Sequence, residues 1–511
     1  MKQLFKIIYS NKLLAAMMLI IQIAVIVVSV YCLADYRVYL EGFLDLLTFA
    51  LVVYELNRPD NPSFKMTWIV IVVLFPVLGA LIFIYTHIDF TPSAIRDTQS
   101  KAFKAVRSEE PDDGRLLERL RREQPTVYGT ARFLSHYGSS PVFDNSPVKY
   151  YPLGDYMIRD MIDELGKANK FIFLEYFIIN RTGKVWQEIY PILRRKAQEG
   201  VDVRIIYDGM GCLNTLPPYY EERVNFDKIK CQSFLPVQPL LSTYQNNRDH
   251  RKIMVIDGRV AFTGGVNLSD EYANITERFG HWKDTGIRIR GSAVAGFTSL
   301  FLQMWNGITE TDSPNDCRKL METSKPEKHA GIVIPYADTP LDEINVGLRV
   351  YIDMINHADN HINIMTPYLT LDDELYNALR YAVQRGVKVN IILPHIPDKA
   401  YAFWLARTYY PQLLRSGVRI YEYTPGFVHA KTFEIDNRAA VVGTINLDYR
   451  SLFLHHECAA MLFDVPEIEN IYDDFKKTLF SCEEITMEKY NRFSLFQRMA
   501  GQVIKLIAPL L

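Results

Sequence analysis

The residues best suited to chemistry in this chain occur twice, at matching spacing. His250 and Lys252 stand with Asp257 in the run His250-Arg251-Lys252-Ile253-Met254-Val255-Ile256-Asp257, and His429, Lys431 and Asp436 repeat that pattern in His429-Ala430-Lys431-Thr432-Phe433-Glu434-Ile435-Asp436. In the same register each copy continues to a Gly, Gly264 or Gly443, and to an Asn, Asn267 or Asn446. One HxKx4D pattern has a chance expectation on the order of a few hundredths in such a composition, so two in register mark a duplicated cassette.

One imidazole, one ammonium and one amide make a weak anion-binding corner; two such sets facing each other suit a tetrahedral phosphodiester. Ammonium and amide groups take the non-bridging oxygens and stabilise the charge of a pentacoordinate transition state. One His attacks phosphorus while the other protonates the leaving oxygen and then takes a proton from the incoming hydroxyl. Lysines supply the positive charge, and the carboxylates are too few and too dispersed for a two-metal site, so neither metal nor cofactor is expected. A lone His of this kind is ordinarily structural, which the duplication argues against. Asp257 and Asp436 belong to the catalytic motif, yet both fall at turns where Asp is favoured for local hydrogen bonding, so an orienting role is the stronger expectation.

The elements that must position these groups are strands and tight turns. His and Lys two residues apart on an extended backbone share one face. Asp257-Gly258 and Asp436-Asn437 are hairpin formers that return the chain toward its His and Lys. The surroundings are duplicated too. Phe171 to Tyr176 reads as a strand, Trp186 to Glu199 as a helix, and Gly200 to Ile206 as a turn and buried strand; His361 to Tyr368, Leu375 to Arg385 and Gly386 to Ile392 repeat that order. The fold class is therefore α/β in two tandem domains, 126–320 and 321–485, with the boundary in the polar stretch Thr311 to His329.

Ahead of these domains lie apolar runs at Leu13 to Leu33, Val38 to Leu56 and Met66 to Thr86. The first is about 20 residues, enough to span a bilayer; the second is weakened by Glu41 and Asp45, and the third carries Pro76 and Gly79. Residues 1–90 read as a membrane anchor with two or three transmembrane helices, which implies a multi-pass protein of the cell membrane. Basic residues conflict over which side faces inward. Residues 91–125, with mixed charges at helical spacing, read as a solvated linker helix. Residues 486–511 form an amphipathic tail that lies on the membrane surface or packs on the protein.

The chain has 511 residues, 49% of them hydrophobic, and a net charge of −2. That balance provides no global basic field for nucleic acid, so an anionic substrate must be gripped locally. The six cysteines include no CxxC pair; buried free thiols are the expectation.

The paired cassettes are those of the phospholipase D superfamily, and within it the chain resembles bacterial cardiolipin synthases. The resemblance runs from Asn57-Arg58 to Asn61-Pro62-Ser63 and Pro76-Val77-Leu78-Gly79, through Asn247 to Tyr272 and Phe427 to Ser451, to Ala508-Pro509-Leu510-Leu511. It implies transfer of a phosphatidyl group between two phosphatidylglycerol molecules, giving cardiolipin and glycerol; the partners are then phosphatidylglycerol, other anionic phospholipids and the bilayer. It further implies His250 and His429 as the catalytic pair, with Lys252, Lys431, Asn267 and Asn446 as phosphate ligands. Gly265 and Thr444 join them as phosphate-binding or orienting residues, and Asp284 and Glu457 hold the imidazoles. His250 is favoured as nucleophile. It implies two mixed-sheet domains related by a pseudo-twofold with the site at their junction. One departure is His456, where the family more often has an Asn before the Glu; it bears on the contacts expected around His429.

Overall fold

The computed structural model describes residues 37–87, 93–236, 246–342 and 344–510. The chain divides into two compact units, one comprising residues 1–93, 237–247 and 502–511, the other 94–236 and 248–501.

The described helices of the first unit are Arg37–Leu56, Pro62–Leu74 and Pro76–His87. The run from Met66 to Thr86, read as one span, is two helices. Pro76 has no N–H to continue the ladder, and the chain turns back so tightly that a Cβ on Gly79 would lie 2.4 Å from the Ile71 carbonyl oxygen. Trp68, Val72 and Phe83 form a small buried cluster between these helices, supported by Leu51. No helix among the described residues is long and apolar enough to cross a membrane; the expected span at Leu13 to Leu33 lies outside them.

The second unit carries the duplication. Its first sheet contains β1 (Val148–Tyr151), β2 (Phe171–Tyr176), β3 (Asp202–Asp208), β4 (Lys230–Phe234), β5 (Lys252–Ile256) and β6 (Val260–Gly264). β7 (His281–Lys283) and β8 (Gly286–Arg290) follow. The second half has β9 (Ile332–Asp338), β10 (His361–Met365), β11 (Lys388–Pro394), β12 (Arg419–Tyr423) and β13 (Gly426–Val428). It closes with β14 (Thr432–Ile435), β15 (Ala439–Gly443), β16 (Glu457–Phe463) and β17 (Cys482–Ile485).

The strand orders are β1-β8-β6-β5-β2-β3-β4 and β9-β16-β15-β14-β10-β11-β12-β17. Position by position the second repeats the first, with β17 added at one edge. β2 with β3 and β10 with β11 pair in parallel, whereas the cassette strands β5 and β14 pair antiparallel with their neighbours, so both sheets are mixed, as the resemblance implied. β13 of the second half pairs in parallel with β7 of the first.

The core between the sheets is built on the helix Val294–Thr309, whose residues Val294 to Asn306 are all buried. Phe297, Phe301 and Met304 share one apolar cluster with Phe173 and Val255 of the first sheet and Ala440 and Leu462 of the second. The helix is buried on every face, and its polar line is satisfied there: Ser299 donates to Glu110, Gln303 to the Ser139 carbonyl and Asn306 to the Asp312 carbonyl.

The linker expected at 91–125 is two helices, Ser93–Arg107 and Gly114–Glu123, and it is not solvated throughout. Phe103 and Val106, one helical turn apart, are buried in the same core. The helix Leu495–Lys505 packs by Gly501, where a Cβ would meet the Trp404 carbonyl oxygen at 2.6 Å, and leaves Leu495, Phe496 and Met499 exposed.

Candidate active site

Each cassette folds as the spacing predicts. At Asp257-Gly258 both residues have positive φ, 55° and 61°, and at Asp436-Asn437 the values are 53° and 55°, the backbone of a tight hairpin. β5 and β6 pair antiparallel, as do β14 and β15. His250 and His429 stand just before β5 and β14, with Lys252 and Lys431 at or next to the strand starts.

The two halves are stitched together at these histidines. The backbone N–H of His250 donates to the His456 carbonyl at 2.9 Å, and that of His429 to the Lys283 carbonyl at 2.7 Å. Those carbonyls immediately precede Glu457 and Asp284, so each histidine is delivered to a carboxylate of the other half. His250 Nδ1 lies 2.9 and 3.0 Å from the two Glu457 oxygens, and His429 Nδ1 lies 2.7 Å from Asp284 Oδ2. The expectation that the His-His-Glu departure bears on His429 is therefore corrected: those residues border His250. Pairing between halves is a tertiary fact that no spacing within one half encodes.

The carboxylates are themselves held. The Thr444 hydroxyl donates to Glu457 and accepts the Cys458 N–H at 3.0 Å. Thr285 N donates to Asp284 Oδ1 at 2.8 Å. Gly265 is a matter of space, since a Cβ there would lie 2.0 Å from Asp284 Oδ1 and 2.9 Å from the His429 carbonyl oxygen.

Lys252 Nζ donates to the His250 carbonyl at 2.6 Å, and Lys431 Nζ donates to the His429 carbonyl and lies 2.9 Å from His429 Nδ1. Both ammonium groups are thereby folded back beside the imidazoles. Asn267 Oδ1 accepts from Ile178 N at 3.0 Å while its Nδ2 donates to the Tyr272 hydroxyl at 2.8 Å. Asn446 is buried and its Oδ1 has no hydrogen-bond partner, so the two amides are not equivalent.

Asp257 and Asp436 are not part of this group. They sit at the far ends of β5 and β14, where Asp257 accepts from the N–H groups of Asn169, Lys170 and Phe171 at 2.7–3.0 Å. Asp436 accepts from Asp359, Asn360 and His361 at 2.6–2.8 Å. Each clamps the turn that starts its neighbouring strand.

Burial governs the electrostatics. It lowers His250 to about 3, with Glu457 opposing and Lys252 assisting, and lowers His429 to about 4, assisted by Lys431 and opposed by Asp284. Burial also lowers Lys252 to about 8 and Lys431 to about 7. Burial opposes ionisation of Glu457, but the adjacent His250 holds its carboxyl well below the usual range. The charge of Lys252 acts on His429 and on Lys431, which marks the two cassettes as one electrostatic site. Neutral imidazoles donating Nδ1–H to carboxylates keep Nε2 lone pairs available. A bound anion opposes desolvation of the cations and pulls the lysines and histidines back toward their charged forms.

Several lining residues escaped sequence reasoning. Tyr272 and Trp282 each have ring centroids 5.3 Å from that of His429, and Phe177 lies edge-on to His250 at 5.0 Å. His455 faces His250 at 5.7 Å. Tyr272 and Trp282 lie within or beside the cassette segments, but nothing in an aromatic residue's position separates a site wall from core.

Residues 161–305 and 351–479 match the family model described as "Cardiolipin synthase, PLD-like domain", and residues 44–85 match one described as "Phospholipase_D-nuclease N-terminal". A Streptococcus mutans protein described only as "Uncharacterized protein" is 46% identical over 90% of this chain and 99% of its own length. Cardiolipin synthase 2 of Bacillus anthracis is 33% identical over 90% of this chain and 89% of its own, and cardiolipin synthase of Alkalihalophilus pseudofirmus is 32% identical over 92% of each. The crystal structure of phosphatidylserine synthase from Haemophilus influenzae shares the fold, with a TM-score of 0.52 over 71% of this chain and 93% of that one at 14% identity. With both halves of the duplicated domain matched and the paired cassettes brought to one site, the chain belongs to the cardiolipin synthase family of phospholipase D-like enzymes.

Proposed function

We propose that the enzyme transfers a phosphatidyl group from one phosphatidylglycerol to the primary hydroxyl of another, releasing glycerol and giving cardiolipin. The observation that carries this reading is the crossed arrangement of the two imidazoles, each held at Nδ1 by the other half's carboxylate. That arrangement leaves one Nε2 to attack and a second to move the proton.

In the first step His250 Nε2 bonds to phosphorus and the bond to the glycerol oxygen breaks, with His429, protonated in the substrate complex, donating to that oxygen. In the second step His429 takes the proton of the incoming hydroxyl, the new P–O bond forms, and the P–N bond to His250 breaks. Lys252 and Lys431 hold the non-bridging oxygens, joined by Asn446 and the remaining donor of Asn267. Gly265, Thr444, Asp284 and Glu457 orient the pair, while Asp257 and Asp436 support the turns. His250 is assigned the attack because its Nδ1 meets both Glu457 oxygens without a competing ammonium, whereas Lys431 stands 2.9 Å from His429 Nδ1.

The domain scheme accompanying this function is a membrane anchor within 1–90, a connecting segment 91–125, the catalytic domains 126–320 and 321–485, and a tail 486–511. The apolar runs support a membrane location for the enzyme, where its lipid substrates are. A product assay in mixed micelles tests the reading: phosphatidylglycerol is converted to cardiolipin with about one glycerol per cardiolipin. Phosphatidic acid as the main product overturns transfer in favour of hydrolysis.

A further inference from the structure

Beside His250 stands an imidazole that the transfer steps leave unused. His455 follows the turn Arg450–Leu454, and its side chain is only 10% exposed. Neither of its ring nitrogens has a hydrogen-bond partner; Nδ1 lies 3.8 Å from Glu457 Oε1, beyond hydrogen-bond reach. A buried imidazole with both nitrogens unsatisfied is costly unless something else meets them.

His250, His455 and Glu457 each offer one ligand atom, and these atoms all lie within 4.8 Å of one another. Ligands bound to one ion at about 2.0–2.2 Å lie about 3–3.5 Å apart, so small side-chain rotations close the set. Two imidazole nitrogens and one carboxylate oxygen suit a borderline cation of the Zn²⁺ class, whereas Mg²⁺ and Ca²⁺ prefer oxygen-only shells.

We propose that His250, His455 and Glu457 form an inhibitory site for a Zn²⁺-class cation. Either nitrogen of His250 serves the block. Coordination at Nε2 occupies the lone pair that attacks phosphorus. Coordination at Nδ1 displaces the proton donated to Glu457 and leaves Nε2 protonated. The ion also draws Glu457 off its orienting contact. Inhibition rests on the reading of His250 as a reacting group; binding does not, and it holds for a transferase or a hydrolase alike.

The test uses full-length protein in detergent, stripped with a chelator and titrated with Zn²⁺ as the probe. Bound metal is counted by elemental analysis in the wild type and in His455→Asn, and turnover of each protein is followed against its own metal-free rate. The expected result is loss of one bound Zn²⁺ per chain in His455→Asn and an inhibition constant raised about tenfold or more. Equal stoichiometry and equal inhibition in the two proteins overturn the site. If the variant does not fold, X-ray absorption of the Zn²⁺-loaded wild type decides: two imidazoles in the first shell support the site, and fewer overturn it. Zn²⁺ held through His455 without loss of turnover overturns the inhibitory role and counts against His250 as a reacting group. Formation of phosphatidic acid instead of cardiolipin overturns the transfer reading and leaves the metal site standing.

Discussion

Glu457, from the second half of the chain, holds Nδ1 of His250, from the first, through both carboxylate oxygens at 2.9 and 3.0 Å. The contact fixes one tautomer and leaves Nε2 unprotonated. Glu457→Gln keeps the shape but offers an amide that can present its N–H to Nδ1, favouring the wrong tautomer. The expected outcome is a fall of about 10³–10⁴-fold in kcat with the thermal transition little changed, comparable to orienting-acid substitutions in serine hydrolases. Stopped product assays beside a melting curve check it; near-normal kcat would remove Glu457 from the orienting role.

Asp257 and Asp436 carry the motif's name but accept three backbone N–H groups each, away from the imidazoles. Asp257→Ala is expected to cost about 1–3 kcal/mol of stability through the donors it orphans. The fraction that remains folded should turn over within a few-fold of wild type. Chemical denaturation and active-site-normalised kcat check this, and a collapse of kcat at full stability would return Asp257 to the chemistry.

Gly265 is expected to tolerate no side chain. Gly265→Ala sets a methyl against Asp284 Oδ1 and the His429 carbonyl, pushing the carboxylate from its 2.7 Å contact with His429 Nδ1. A loss of about 10²-fold or more in kcat, of the size seen for displaced catalytic groups, is the expected result of steady-state assays.

Burial lowers Lys431 to about 7 and Lys252 to about 8 from 10.5, with two consequences for pH. The alkaline limb of kcat/KM, which reports the free enzyme, is expected near pH 7–8 as the ammonium charges are lost. For stability the sign follows from proton uptake: between these values and 10.5 the unfolded chain holds protons that the folded chain lacks, so the burial penalty is full below about 7 and fades toward 10.5. Lys431→Met should therefore raise the melting temperature most at neutral pH and progressively less as pH rises. A constant difference across that range would contradict the lysine's lowered affinity for protons.

Much of the fold was legible because the duplication repeats local signals. Asp-Gly and Asp-Asn announce hairpins, and Gly200 and Gly386 close helices ahead of buried strands. The strand order was not legible, because it depends on which neighbours β5 and β14 pair with. Likewise Asp284 and Glu457 could be named from resemblance, but not assigned to their imidazoles, since each contact crosses between halves. The run at Met66 to Thr86 misled for a physical reason: hydropathy is blind to Pro76, which divides it into two helices packed back on each other. Phe103 and Val106 were hidden among charged neighbours, which masked a narrow buried stripe.

Rapid quench shows whether His250 and His429 act as one site on a lipid phosphodiester. Wild-type enzyme is mixed with phosphatidylglycerol labelled in its phosphatidyl group, stopped in alkali, digested, and read by mass spectrometry. A transient phosphatidyl adduct is expected on the peptide bearing His250, absent in His250→Ala and formed many-fold more slowly in His429→Ala. An adduct on His429, or cardiolipin formed at the normal rate with neither histidine labelled, would overturn the assignment of the attack to His250.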